Sequence, residues 1–220
     1  MNGAVEAFRD DSLVPVRGFL HRPEQISERG LVLAHGAGSN SNSSLLIALA
    51  DSFAAAGFIV LRCDLPFRQS HSFGPPRPGD AERDREGLRN AVTAVRNLGC
   101  DRIFLGGHSY GGRQATMLCA EERELAAGLL LLSYPLHPPR KPEQLRVQHL
   151  PRLHVPALFE HGTRDPFGSV EEMEMALKMI PVKTQMLVVD GTGHDLGFKG
   201  KLMRDGLVGE VVATFAGFFQ

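Results

Sequence analysis

Short unbroken apolar runs alternate along this chain with longer stretches in which apolar positions recur every three or four residues. The runs are LVLAHG, FIVLRCD, RIFLGGHS, GLLLLSYP, ALFEHG and QMLVVDG. Continuous apolar character over so short a length predicts strands covered on both faces, as in a parallel sheet. Between them the helical spacing predicts helices over residues 43–56, 80–98, 110–122, 170–179 and 204–219. Strand and helix in strict alternation imply parallel βαβ units with helices on both faces of the sheet. The expected fold class is therefore α/β, as a single domain over residues 1–220. The N-terminal stretch VPVRGFLHRP predicts an additional edge strand. Residues 135–156, rich in Pro, His and Arg, break the rhythm and predict a loop or short helix laid over the surface.

Charge narrows the function classes. The formal net charge is −1 and 22% of residues are charged, so the basic excess usual in nucleic-acid binding is missing. No nucleic acid is expected as a partner. The N-terminal segment lacks a basic start followed by an apolar core, and no apolar run reaches bilayer length. The expectation is a soluble, cytoplasmic protein without membrane attachment. Cys63, Cys100 and Cys119 are odd in number, widely spaced and set among apolar neighbours. That pattern predicts reduced thiols rather than disulfides or a zinc site.

Chemistry enters at GGHSYGG, residues 106–112. Ser109 follows an apolar strand and precedes a helix, so Gly107-His108-Ser109-Tyr110-Gly111 is G-x-S-x-G in a strand–turn–helix setting, the nucleophile-elbow arrangement. The turn is tight enough that the positions two before and two after the serine must be small. The hydroxyl would stand clear of the sheet, beside a helix N-terminus.

A serine alone is a poor nucleophile and requires a base, an orienting acid and a site for the developing oxyanion. QMLVVD ends in GTGHDL, which puts His194 in a loop at a strand's carboxyl end. One strand earlier ALFEHG leads into GTRDPF, and Asp165 takes the equivalent loop. Asp190 and Asp195 are rival acids, but one ends the strand that carries the histidine and the other is its immediate neighbour. The order Ser109, Asp165, His194 is that of the α/β hydrolases. In LAHGAGSN, glycines after a strand free backbone N–H groups, and the N–H of Ala37, or else of Gly38, would act with that of Tyr110 as the oxyanion hole. His35 is expected to support that loop. His108 and His161 read as turn and strand-end histidines.

HGAGS, LPFR after FIVLRCD, GGHSYGG, LSYPLHPPRKPEQLR, GTRDPF and GTGHDL together resemble the α/β-hydrolase superfamily over nearly the whole chain. Within it they are similar to a family of small hydrolases grouped with testis-expressed and chromatin-complex hydrolase-like domains, and more distantly with dienelactone hydrolase. Dienelactone hydrolases use a cysteine nucleophile where this chain has Ser109, so lactone specificity does not transfer. The resemblance implies a fold and a triad, and leaves the substrate open. The expected function is a serine hydrolase acting on a small-molecule acyl substrate, an ester, thioester or similar bond, with no cofactor and no metal. The alternative is a non-catalytic hydrolase-fold domain that binds a partner or small ligand.

The connection between GLLLLSYP and ALFEHG is too short for a separate cap domain, so the mouth is expected to be open. Residues 65–80 and 134–146 can border it. Arg77, Arg140, Lys141 and Arg146 read as solvated surface charges. Arg68 lies four residues beyond Asp64, near the expected pocket. It is expected either to bind an anionic substrate group or to orient its loop through a carboxylate or backbone carbonyl.

Overall fold

A computed structural model describes residues 4–198 and 206–220. Six apolar runs form the parallel strands: β3 (Arg29–Ala34), β4 (Ile59–Asp64), β5 (Arg102–His108), β6 (Gly128–Leu132), β7 (Ala157–Gly162) and β8 (Thr184–Val189). Two more precede them, β1 (Val5–Asp10) and β2 (Val16–His21). The eight-stranded sheet has the order β1-β2-β4-β3-β5-β6-β7-β8. β2 pairs antiparallel with both β1 and β4, and every other pairing is parallel.

Two expectations are corrected. The VPVRGFLHRP strand is interior, with β1 outside it forming the edge. β1 was illegible because VEAFRD is mostly exposed on both faces and lacks apolar alternation. β8 is likewise an edge, and Val188 is 40% exposed, so its apolar run is not covered on both sides.

The helices are α1 (Ser44–Ala55), α2 (Pro66–Ser70), α3 (Asp80–Asn97), α4 (Tyr110–Glu121), α5 (Val170–Leu177) and α6 (Leu207–Phe218). Ser43 caps α1 by accepting from Leu46 N, and Ser169 caps α5 through a reciprocal capping box with Glu172. α2 is a short helix begun by a proline and was not expected. The helix expected from residue 204 is described from Leu207; residues 204 and 205 lie outside the described residues. Within 135–156 the chain makes a 3-10 turn at Leu150–Arg152 and otherwise runs as loop, and among the described residues no large cap covers the site.

Strand side chains alternate between two cores. Val32, Leu129 and Leu131 join α3, α4 and α5 on one face, while Leu31, Leu33, Leu130 and Leu132 join α1 and α6 on the other. Each crossover returns the chain to the amino ends of the strands, so the loops that follow β3, β5, β7 and β8 collect on one carboxyl edge.

Candidate active site

Ser109 sits at the top of β5 as the residue that precedes α4, at φ 52° and ψ −114°. For a non-glycine residue this positive φ is strained and persists only where surrounding contacts impose it. Here the Ser109 N–H donates to the Leu132 carbonyl at 2.8 Å, and its own carbonyl accepts from Arg113 N at 2.9 Å. The flanking glycines are required by space. A Cβ on Gly107 would lie 2.3 Å from the Ala34 oxygen, and one on Gly111 2.7 Å from the His35 oxygen.

The loops after β7 and β8 bring two more side chains to this point. His194 Nε2 lies 2.7 Å from Ser109 Oγ, and His194 Nδ1 lies 2.8 Å from Asp165 Oδ2 and 3.0 Å from Oδ1. A carboxylate only accepts, so the Nδ1–H donates to Asp165 and the bare Nε2 accepts the Ser109 hydroxyl proton. Asp165 is fully enclosed at its side chain and accepts from Phe167 N at 2.9 Å, while His194 keeps 21% exposure. The rival acids are placed elsewhere: Asp190 accepts from Thr163 Oγ1 at 3.2 Å, and Asp195 from Gly197 N at 3.2 Å.

Phe167, which was not singled out, and His108 and His161, expected as turn and strand-end histidines, hold the Ser109–His194–Asp165 chain in place. The Phe167 ring lies 4.1 Å from the His194 ring, tilted by 30°. His108 lies with its ring 5.0 Å from His194 and donates from Nε2 to the His194 carbonyl at 2.7 Å, so it clamps the loop that carries the imidazole. His161 donates to the Gly168 carbonyl at 2.8 Å, bracing the Asp165 loop from beneath. The support that Phe167 and His108 give to His194 is not visible locally, because each acts on a segment distant in sequence.

Across the pocket, the loop after β3 presents Gly36, Ala37 and Gly38. Buried His35 holds it: its Nδ1–H donates to the Gly36 carbonyl at 2.9 Å and its Nε2 accepts from Leu65 N at 3.1 Å. Burial lowers the His35 pKa, which keeps the ring neutral for both bonds. Tyr110 begins α4, so its N–H has no partner within the helix. Its hydroxyl turns the other way and donates at 2.7 Å to Asp84, a fully buried carboxyl on α3 that also accepts from Phe67 N at 2.9 Å. Burial raises the pKa of both groups.

Ser109, His194, Ala37, Gly38 and Tyr110 line one pocket of about 430 Å³. The family assignment can now be made, because residues 27–218 match the alpha/beta hydrolase domain. The chain belongs to the alpha/beta hydrolase family. Solved structures share its architecture from end to end. An alpha-beta serine hydrolase homologue from Coxiella burnetii is 19% identical with a TM-score of 0.75, covering 95% of this chain and 96% of that one. A dienelactone hydrolase from Anabaena variabilis is 20% identical with a TM-score of 0.74, covering 100% and 98%. An α/β serine hydrolase without lid from Xanthomonas campestris is 16% identical with a TM-score of 0.71, covering 98% and 96%.

The cations of this hydrolase are distributed differently from the expectation. Arg68 donates to four backbone carbonyls: Ser39 at 2.8 Å, Ala37 at 2.9 Å, Gly74 at 2.9 Å and His71 at 3.1 Å. It does not line the pocket, so of its two expected roles the geometry carries loop orientation and leaves no support for substrate binding. Arg146, expected as a surface charge, is half-buried and lines the pocket together with Arg113. Arg113 escaped notice because it sits inside a helix whose interest ended at the serine. Among the described residues no helix is long and apolar enough to cross a membrane.

Proposed function

We propose that this α/β hydrolase is a serine acyl hydrolase in which Ser109 is the nucleophile, His194 the general base and Asp165 the orienting acid. The observation that carries the reading is the unbroken chain from Ser109 Oγ to His194 to Asp165, at 2.7 Å and 2.8 Å, ending on a serine held at positive φ above the sheet.

The chemistry follows from the geometry. His194 Nε2 takes the hydroxyl proton as Ser109 Oγ bonds to the substrate carbonyl carbon, and Asp165 stabilises the resulting imidazolium. The carbonyl oxygen, now negative, accepts from the backbone N–H groups of Tyr110 and Ala37. As the tetrahedral species collapses, the bond to the leaving oxygen or sulfur breaks, and His194 returns the proton to that atom. Water then repeats the sequence on the acyl-enzyme: His194 accepts its proton, the carbonyl–Oγ bond breaks, and the proton goes back to Ser109. A small ester or thioester is the substrate class that needs no further group.

A fluorophosphonate probe tests this, because it reacts with a serine only when base and oxyanion donors are in place. Labelling confined to the peptide that carries Ser109, and lost in His194→Gln, is the expected result. An unlabelled, folded protein would instead favour the non-catalytic binding domain.

A further inference from the structure

Two guanidinium groups line the same pocket, and among the described residues neither pairs with a carboxylate. Arg113 lies four residues beyond Ser109, about 6 Å along the axis of α4. Arg146 approaches from the loop between β6 and β7. The arginine–carboxylate pairs among the described residues belong to Arg9, Arg22, Arg85 and Arg89. Arg113 Nε is buried without a hydrogen-bond partner, and Arg146 spends one N–H on a 3.3 Å contact with the Pro135 carbonyl.

Burial favours the neutral forms of Tyr134 and His149 beside the pair. Burial pushes Tyr134 up to about 12, and its hydroxyl donates to the Arg146 carbonyl at 2.8 Å. Burial, with Arg113 and Arg152 nearby, pushes His149 down to about 4, and its Nε2 lies 2.8 Å from Thr116 Oγ1. The Arg146 backbone is fixed as well, because its N–H donates to the Leu136 carbonyl at 2.8 Å. Burial first, and repulsion from Arg113 second, lower the Arg146 pKa. Holding two like charges together in a half-buried wall is unfavourable unless an anion joins them.

We propose that Arg113 and Arg146 form an anion subsite, and that the acyl substrate carries a carboxylate on a short arm beside the bond that Ser109 attacks. The inference rests on the serine hydrolase reading for the reaction and on the two arginines alone for the anion. The planar guanidinium matches a carboxylate in charge-assisted, paired hydrogen bonds, and desolvation in the pocket strengthens them. The site lies within a pocket of about 430 Å³, so anion and ester belong to one small molecule. Among the described residues no cap covers the mouth, and the subsite would therefore set the specificity.

Two measurements test it. The first compares kcat/KM for mono-4-nitrophenyl glutarate with that for 4-nitrophenyl pentanoate, which has a methyl in place of the carboxylate. The wild-type ratio should favour the anionic ester by about tenfold or more and shrink between about 50 mM and 500 mM salt. In Arg146→Gln and Arg113→Gln it should fall toward one, and Arg146→Lys should keep part of it. Because a ratio is read, a general loss of activity cancels. The second uses Ser109→Ala and calorimetric binding of glutarate monoanilide against pentananilide, which requires no turnover. Equal binding of the two anilides, or a ratio untouched by both glutamine variants, would overturn the subsite. Preferential anilide binding without any turnover in wild type would sustain the subsite and overturn the hydrolase reading.

Discussion

The two ends of the sheet are built on opposite principles. At the amino ends of the strands, Phe53, Phe58, Phe104, Phe215 and Phe219 pack ring against ring, with centroids 4.5–6.1 Å apart. Arg29 and Arg102 lie over the rings of Phe58 and Phe104 at 4.5 Å and 5.4 Å. That end combines apolar burial with cations on aromatic faces. At the carboxyl ends, Ser109 and Ser133 are held at φ 52° and 50°, the side-chain oxygens of Glu160 and Ser133 are buried without hydrogen-bond partners, and two arginines share a pocket wall. Strain and unmatched polar groups accumulate at one end because the other end, and the two apolar faces between, hold the sheet regardless. A fold can tolerate such features only where something else secures it, and their position marks where chemistry is done.

The largest effect that could break this contrast is at the elbow. Ser109→Ala should lower ester kcat by about 10⁴-fold or more while melting within a few degrees of wild type, read from initial rates and thermal denaturation. The opposite signature belongs to the aromatic end. Phe215→Ala removes a fully buried ring and should cost about 3–5 kcal/mol by denaturant unfolding, leaving kcat of the folded fraction near the wild-type value. If Phe215→Ala instead lost activity before stability, the division between the two ends would fail.

A third comparison concerns the buried acid at the carboxyl end. Burial, with Glu210 contributing, pushes Glu160 up to about 8, above the ordinary value of 4.5. The folded chain thus holds a proton that the unfolded chain releases. The stability this provides is whole below about pH 4.5 and is lost as pH rises through about 8. Unfolding free energies of wild type should fall relative to those of Glu160→Gln by on the order of 5 kcal/mol across that window. Parallel curves would mean that Glu160 does not titrate there.

The smallest expected effect separates Arg68 from the pocket arginines. Arg68→Gln loses ties to four loop carbonyls and should cost about 1–2 kcal/mol of stability. It should slow charged and neutral esters alike, whereas a selective loss of the charged ester would return Arg68 to the substrate.

What the sequence disclosed, it disclosed through local signals. The six parallel strands declared themselves as apolar runs, five helices by periodicity, and Ser109, Asp165 and His194 by the loops that follow particular strands. β1 carried no such signal, since an exposed edge strand need not alternate. The arginines show where local reading ends. Arg68 looked available because it is near Asp64 in sequence, yet its guanidinium is consumed by carbonyls from residues 37, 39, 71 and 74. Arg113 and Arg146 are separated by 33 residues in number and meet only because α4 and the β6–β7 loop converge on one pocket. Whether a charge is free depends on partners that only the tertiary structure assigns.

The central claim is that Ser109, His194 and Asp165 form and resolve an acyl-enzyme, and pre-steady-state turnover of 4-nitrophenyl acetate tests it most directly. The account predicts a burst of nitrophenol approaching one equivalent per chain, with the acetyl group recovered by acid quench and peptide mass spectrometry on Ser109. Turnover without a burst, with acetate recovered only in solution and no acetyl on that peptide in quenched wild type, would contradict it.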